Sequence, residues 1–421
     1  MKSIALAASL AVASLVPMTF AEPPAPQPVE VMSRARVDPK PLSNHVNSGI
    51  AWLIKTQKPD GGWSQGEESS HMVQSRNAEM SAAGEPSNVA DTAMAMLALI
   101  RAGSTPASGP HAEQLARATG FICGKIENSE AKGLWITDVR GTRTQSKLGT
   151  YVDTYLAALV LGEIKPALPE GELKTRVTAA LDKTVAKIQS SDGQQQDAGW
   201  AVALSRGIRG KAMNKAAAAG APVDLGQLAV ANAQARESIV TSGGAGGRAE
   251  FAPATDAAGV GLYGAASSIQ QLQEAVNADR KLEDELRQRL AMPTTSPADR
   301  DDIEKKLAEV KDNHLKLAAA RQAVVDKMQD EQFVAGFGSN GGEEFLSYWA
   351  IGETLVTERD PSFADWDRKM TDNLNRVQND DGSWSGHHCI TGKTFCTSAA
   401  LLVLTVDRTT TPAAAEVGGH R

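Results

Sequence analysis

Aromatic side chains are scarce in this sequence: seven Trp, four Tyr and eight Phe stand among 421 residues. Strand interiors draw on aromatic and β-branched residues, whereas Ala, Leu, Gly and charged residues dominate here, which favours helices. An all-α protein is expected. Basic excess is also missing, since 43 Lys and Arg face 50 Asp and Glu for a net charge of −7. A mildly acidic surface with no basic patch excludes nucleic acid and anionic lipid as expected partners. Beyond the N-terminus, no segment reaches the ~18 uninterrupted apolar residues that a spanning helix needs, so no stable membrane anchor is expected. What is present is ordinary for a globular chain, with 42% hydrophobic and 22% charged residues, enough for one large domain or two to three smaller ones.

Residues 1–21 carry Lys2, an apolar run from Ile4 to Val16, and Thr19-Phe20-Ala21 before Glu22, the order of a secretory signal peptide. The apolar run is too short for a permanent anchor, and no Cys precedes Cys123, so a lipid-anchored form is not expected. The chain is therefore read as exported, periplasmic or secreted. Residues 22–41 follow as a Pro-rich linker opening with Glu22-Pro23-Pro24-Ala25-Pro26, extended because Pro lacks the amide donor. In an oxidising compartment Cys389 and Cys396, seven positions apart, are the natural disulfide, leaving Cys123 a small buried apolar residue. Sequence spacing does not establish the geometry such a bond needs.

Two phrases recur, and repeats outrank local signals. The first is Gln57-Lys58-Pro59-Asp60-Gly61-Gly62-Trp63 near the start and Gln378-Asn379-Asp380-Asp381-Gly382-Ser383-Trp384 near the end, with a worn copy at Ile188 to Gly193 whose Trp is displaced to Trp200. Asp and Gly supply a tight turn, Gln bonds freed backbone groups, and Trp packs over the junction. This is a structural clasp. The second phrase follows each clasp: Asp91 to Leu99, Asp153 to Leu161 and Cys396 to Leu404 share Thr at the second position, Ala at the fifth and Leu at the seventh and ninth. Each is apolar nearly all round, as a buried helix is. Looser versions start at Gly199 and Glu344. Amphipathic outer helix, clasp and buried inner helix alternate, and repetition around an axis gives an α/α toroid over residues 42–421.

With these motifs the chain resembles the QW-repeat superfamily of squalene cyclases and protein prenyltransferase β-subunits, across roughly residues 43–204 and 333–407. The resemblance implies the toroid and leaves the reaction open. Cyclase chemistry in that superfamily implies Asp-x-Asp-Asp, prenyltransferase chemistry an Asp-x-Cys zinc site, and the thioester branch Gly-Cys-Gly-Glu-Gln. The last two are absent, and the one Asp-x-Asp-Asp string, Asp299-Arg300-Asp301-Asp302, falls on the helical hairpin outside the covered regions, the wrong context for a proton donor. The aromatics are also few for a cavity that stabilises carbocations.

Between the two covered regions, apolar residues step by three and four from Ile269 to Leu290 and again from Ile303 to Met328. This pattern predicts an antiparallel coiled-coil hairpin inserted at 266–331, about 36 Å per arm. Ser296 is its second N-cap and Pro297 the first helical residue. Asp279 and His314 fall near the seam, so the hairpin is read as a protein-interaction arm. The glycine-rich stretch Ser242 to Arg248 lacks a phosphate loop's Lys-Ser/Thr ending and a preceding strand, and is read as a loop.

Candidate site residues lie where inner helices begin. Asp91 and Asp153 are helix caps or, alternatively, cavity carboxylates acting as acid and base. Glu343 and Glu344 open an inner helix after a glycine-rich loop. Tyr348 and Trp349 are core residues or, alternatively, one of them lines a cavity for a sugar or lipid, in which case Glu343, His387 and His388 are the further ligand-binding candidates. His387, His388, Cys389 and Cys396 form the last clasp, where His388 and the two thiols are the alternative zinc ligands to a disulfide; no cofactor is otherwise expected. The leading expectation is a non-catalytic toroid that binds a protein, lipid or glycan. The alternative is an extracytoplasmic enzyme, terpenoid cyclase-like or glycan-active, using Asp91, Asp153 and Glu344.

Overall fold

The computed structural model describes residues 37–67, 85–191, 197–237, 239–242, 248–251 and 257–409. Residues 1–21, read as a signal peptide, and most of residues 22–41, read as a linker, lie outside these residues, as does the end of the worn clasp copy. Fourteen α-helices are described, with one two-stranded ribbon. The protein is helical, as expected from its composition.

The buried phrases form α2 (Val89–Arg101), α5 (Val152–Ile164), α7 (Val202–Ala218), α12 (Gly342–Thr357) and α14 (Lys393–Leu404). Their apolar side chains are almost wholly shielded. A sixth member is α9 (Gly261–Ala291), whose N-terminal half, including Leu262, Tyr263, Ile269 and Leu272, is buried. These six are neighbours in a cycle: α2 packs on α5, α5 on α7, α7 on α9, α9 on α12, α12 on α14, and α14 on α2. Outside them lie amphipathic helices. α1 (Asn44–Thr56) covers α14, α3 (Ala112–Glu127) covers α2, α6 (Glu172–Ser190) covers α5, and α13 (Phe363–Arg376) covers α12 and α14.

The two clasps have the same geometry. Trp63 Nε1 donates to Leu53 O and Trp384 Nε1 to Leu374 O, each at 2.8 Å. The Trp63 and Trp384 amides donate to Thr92 Oγ1 and Thr397 Oγ1 at 2.9 Å, which explains the Thr at the second position of two inner phrases; in the third, the Thr154 hydroxyl donates to Leu134 O at 2.5 Å instead. Gln57 and Gln378 each donate to a clasp carbonyl, Gly61 O and Gly382 O, at 2.8 Å. They also reach the next outer helix: Gln57 donates to Gln114 O in α3, and Gln378 to His45 O in α1, both at 2.9 Å. Gly382 has φ +87°, and a Cβ there would lie 2.8 Å from Ser48 O, so only Gly allows this approach. The last clasp thus holds the first helix.

Three expectations need correction. Trp200 is no displaced clasp residue, since 42% of it is exposed; the clasp requires a fully buried indole. The hairpin boundary at 266 falls inside α9, because the first turns of that arm are apolar on every side and pack between α7 and α12. A strand does precede the glycine-rich stretch: Ile239–Ser242 pairs antiparallel with Arg248–Phe251, while residues 243–247 lie outside the described residues.

Past its contacts with α7 and α12, α9 continues alongside α10 (Pro297–Lys327). Each helix has 31 residues, longer than the pattern implied because the periodicity starts inside the core. Ser296 caps α10 as expected, accepting from Asp299 N. Asp279 is not a weak point of the seam: Asn313 Nδ2 at 2.8 Å and Arg236 at 2.6 Å satisfy it. Arg236 comes from α8 (Leu225–Glu237), which also packs on α9.

Candidate functional site: buried acids where the inner helices begin

The first turns of α2, α5, α9, α12 and α14 bring four carboxyl groups under cover. Asp91 takes part in a reciprocal cap: Asn88 Oδ1 accepts from Asp91 N at 2.9 Å, and Asn88 Nδ2 donates to Asp91 Oδ2 at 2.6 Å. Asp153 caps its neighbour rather than its own helix, accepting from Ala90 N of α2 at 3.0 Å and from Gln145 Nε2 at 2.8 Å. Gln145 belongs to α4 (Arg143–Leu148), a short helix with a full capping box at Thr142. Neither Asp therefore caps its own helix: Asn88 is the N-cap of α2 and the Asp91 carboxyl accepts from its side chain, while Asp153 accepts the amide of a neighbouring helix.

Glu343 and Glu344 are fully buried. Glu343 Oε2 accepts from Ile390 N at 3.2 Å. Glu344 Oε1 accepts from the Tyr263 hydroxyl and from Phe337 N, the latter at 3.0 Å. The glycine-rich loop before α12 therefore wraps the chain's own carboxylate: Gly336 has φ +60°, and a Cβ there would collide with Glu344 Oε1 at 2.4 Å. On the other side, His388 Nε2 lies 3.4 Å from Glu344 Oε2 and 2.8 Å from Ser339 O. Four polar atoms at these helix starts, Asp91 Oδ1, Glu343 Oε1, Glu344 Oε2 and His388 Nδ1, are buried with no hydrogen-bond partner among the described residues.

Burial disfavours charge on these acids. It lifts Asp91 to about 7, with Asp153 and Glu85 adding repulsion against the Asn88 bond. Burial lifts Glu343 to about 8, with the Glu344 charge beside it. Asp153 and Glu344 are also raised by burial, against the bonds from Gln145 and the attraction of His388 respectively.

Cys389 and Cys396 are free, so the expected disulfide is not formed. Cys389 sits in the left-handed region, at φ +54°, while Cys396 is buried in α14 with its Sγ donating to Ile390 O at 3.3 Å. Among the described residues no group of three or more His, Cys, Asp or Glu is gathered to hold a metal, so His388, Cys389 and Cys396 do not converge as zinc ligands. Tyr348 and His387 line a surface cavity of about 650 Å³ with Asn340, Asn373 and Arg376. Trp349 is core, with Lys211 Nζ 4.6 Å from its ring centroid.

Several residues escaped sequence reasoning. Tyr263 lies on a helix read as a hairpin arm, and Gln145 on a short helix with no periodic signal. At the opposite ends of the inner helices, Glu353 pairs with Arg101 at 2.7 Å and with Lys211, and Glu163 pairs with Lys215 at 2.7 Å. Only their i, i+10 placement after Asp91, Asp153 and Glu343 offered a signal. No family model matches the chain, and no curated protein matches it.

Proposed function

We propose that this protein is an exported α/α toroid of the QW-repeat kind, with the α9–α10 coiled-coil pair as its arm, and that it binds a ligand without transforming it. The closed cycle of six inner helices and the two matching clasps support the architecture. The observation that carries the non-catalytic reading is how the acids are used: Asp153 bonds the amide of a neighbouring helix, Asp91 closes a cap, and Glu344 holds a loop. Groups committed this way hold the inner helices together. Export, read from residues 1–21, belongs to the same proposal.

One observation favours a second reading. Asp91 and Glu343 hold protons near neutral pH, as a general acid does. The test is incubation of the exported protein with neutral oligosaccharides and polyprenyl lipids, followed by mass spectrometry of the products. Unchanged compounds are expected. A product that disappears with Glu343→Gln, in protein that still folds, overturns the non-catalytic reading.

A further inference from the structure

Beside the Glu343–Glu344 pair the surface carries an unusual patch. Trp200 and Phe337 are 42% and 51% exposed, and their rings meet edge to face at 5.9 Å. Phe337 in turn lies 5.2 Å from the His388 ring, and His388 reaches Glu344. A continuous path of side chains thus runs from exposed aromatic surface to buried carboxyl groups. Gly341 packs closely against its inner end: a Cβ there would sit 2.9 Å from Glu344 Oε2 and 3.2 Å from His388 Cε1, so the backbone passes directly beside both side chains. Those two residues hold the unpartnered Oε2 and Nδ1.

We propose that Trp200, Phe337 and His388, above Glu343 and Glu344, form a binding site for a neutral sugar unit; this deepens the ligand-binding reading and rests on it. Buried polar atoms without partners call for an explanation, and ligand hydroxyls, which both donate and accept, satisfy a carboxyl oxygen and an imidazole nitrogen alike. Exposed aromatic rings pack against the C–H faces of a sugar, an apolar body with a polar edge. Charge decides against ions. A cation meets Lys147, whose Nζ already lies 5.3 Å from the Trp200 ring centroid and whose charge reaches Glu343. An anion meets two buried acids, and any charge they take on repels it.

The test titrates the full chain by tryptophan fluorescence and calorimetry with neutral hexaoses of glucose, xylose and N-acetylglucosamine. Tetramethylammonium and hexagalacturonate serve as the charged probes. Saturable binding of a neutral hexaose is expected, with Kd raised at least tenfold in Trp200→Ala and in Phe337→Ala. Both variants should keep the wild-type melting temperature, because both side chains are exposed. Absence of binding by all three hexaoses overturns the proposal, as does binding that neither variant weakens. If a charged probe binds instead and the same variants abolish it, the sugar assignment falls while the ligand-binding reading stands. If a hexaose binds at this patch and is shortened, the non-catalytic reading falls while the site stands.

Discussion

Replacing Glu343 with Gln should make the protein less sensitive to alkali. In the folded chain Glu343 is raised from 4.5 to about 8 by burial and by Glu344. Between those values the native state keeps a proton that the unfolded chain has lost, so stability is highest below about 4.5 and declines as pH rises through 8. At about 1.4 kcal/mol for each pH unit, the cost of charging this one group is on the order of 5 kcal/mol. Glu343→Gln mimics the protonated acid and still offers Ile390 N an acceptor. The variant should match wild type at pH 5 and exceed it at pH 9. For a domain of this size, about 1.5 °C per kcal/mol puts the difference at roughly 7 °C. Thermal unfolding followed by circular dichroism at the two pH values measures it. Equal loss of melting temperature in both proteins between pH 5 and pH 9 would refute the argument that Glu343 is buried as a neutral acid.

The remaining predictions concern the frame. Thr397→Val removes the acceptor of the Trp384 amide and should cost about 1–3 kcal/mol in urea unfolding, as a buried donor left unmade does; a change near zero contradicts the clasp geometry. Glu353→Ala leaves Arg101 and Lys211 buried without their shared carboxylate and should cost about 3–5 kcal/mol, read in the same assay; Glu353→Gln should recover part of it. Glu163 is held at about 2, chiefly by Lys215 and Arg101 against burial. Its contribution should persist above pH 4.5 and fade as pH drops toward 2, and a Glu163→Gln variant should lack that acid limb. All three Cys should alkylate without reductant after unfolding, whereas a mass two hydrogens short, with only Cys123 labelled, would restore the disulfide.

The clasps and inner helices were legible because their determinants are local. A Gln, a turn Gly and a Trp within seven positions specify one junction, and Thr92 and Thr397 announce which helix receives it. Spacing could not show that Gln378 closes onto His45, 333 positions away, although the repeat implied a ring. The acids were found for the right reason, as residues at helix starts. Their partners were hidden, since Tyr263, Gln145 and His388 reach them from three different elements. Trp200 misled because a worn repeat suggested a buried indole, whereas its surroundings leave it at the surface. α9 misled because one amphipathic pattern covers both its core half and its exposed half.

Ring closure is the claim on which the site and its reading depend, and zero-length carbodiimide cross-linking of the folded chain tests it most directly. Lys40 Nζ lies 2.7 Å from Asp367 Oδ1, and Lys393 Nζ lies 3.0 Å from Glu67. Peptides joining Lys40 to Asp367 and Lys393 to Glu67 are expected in the digest of the monomer. A digest in which neither joins the first helix region to the last, with short-range pairs such as Lys174 and Glu170 cross-linked normally, would contradict a closed ring.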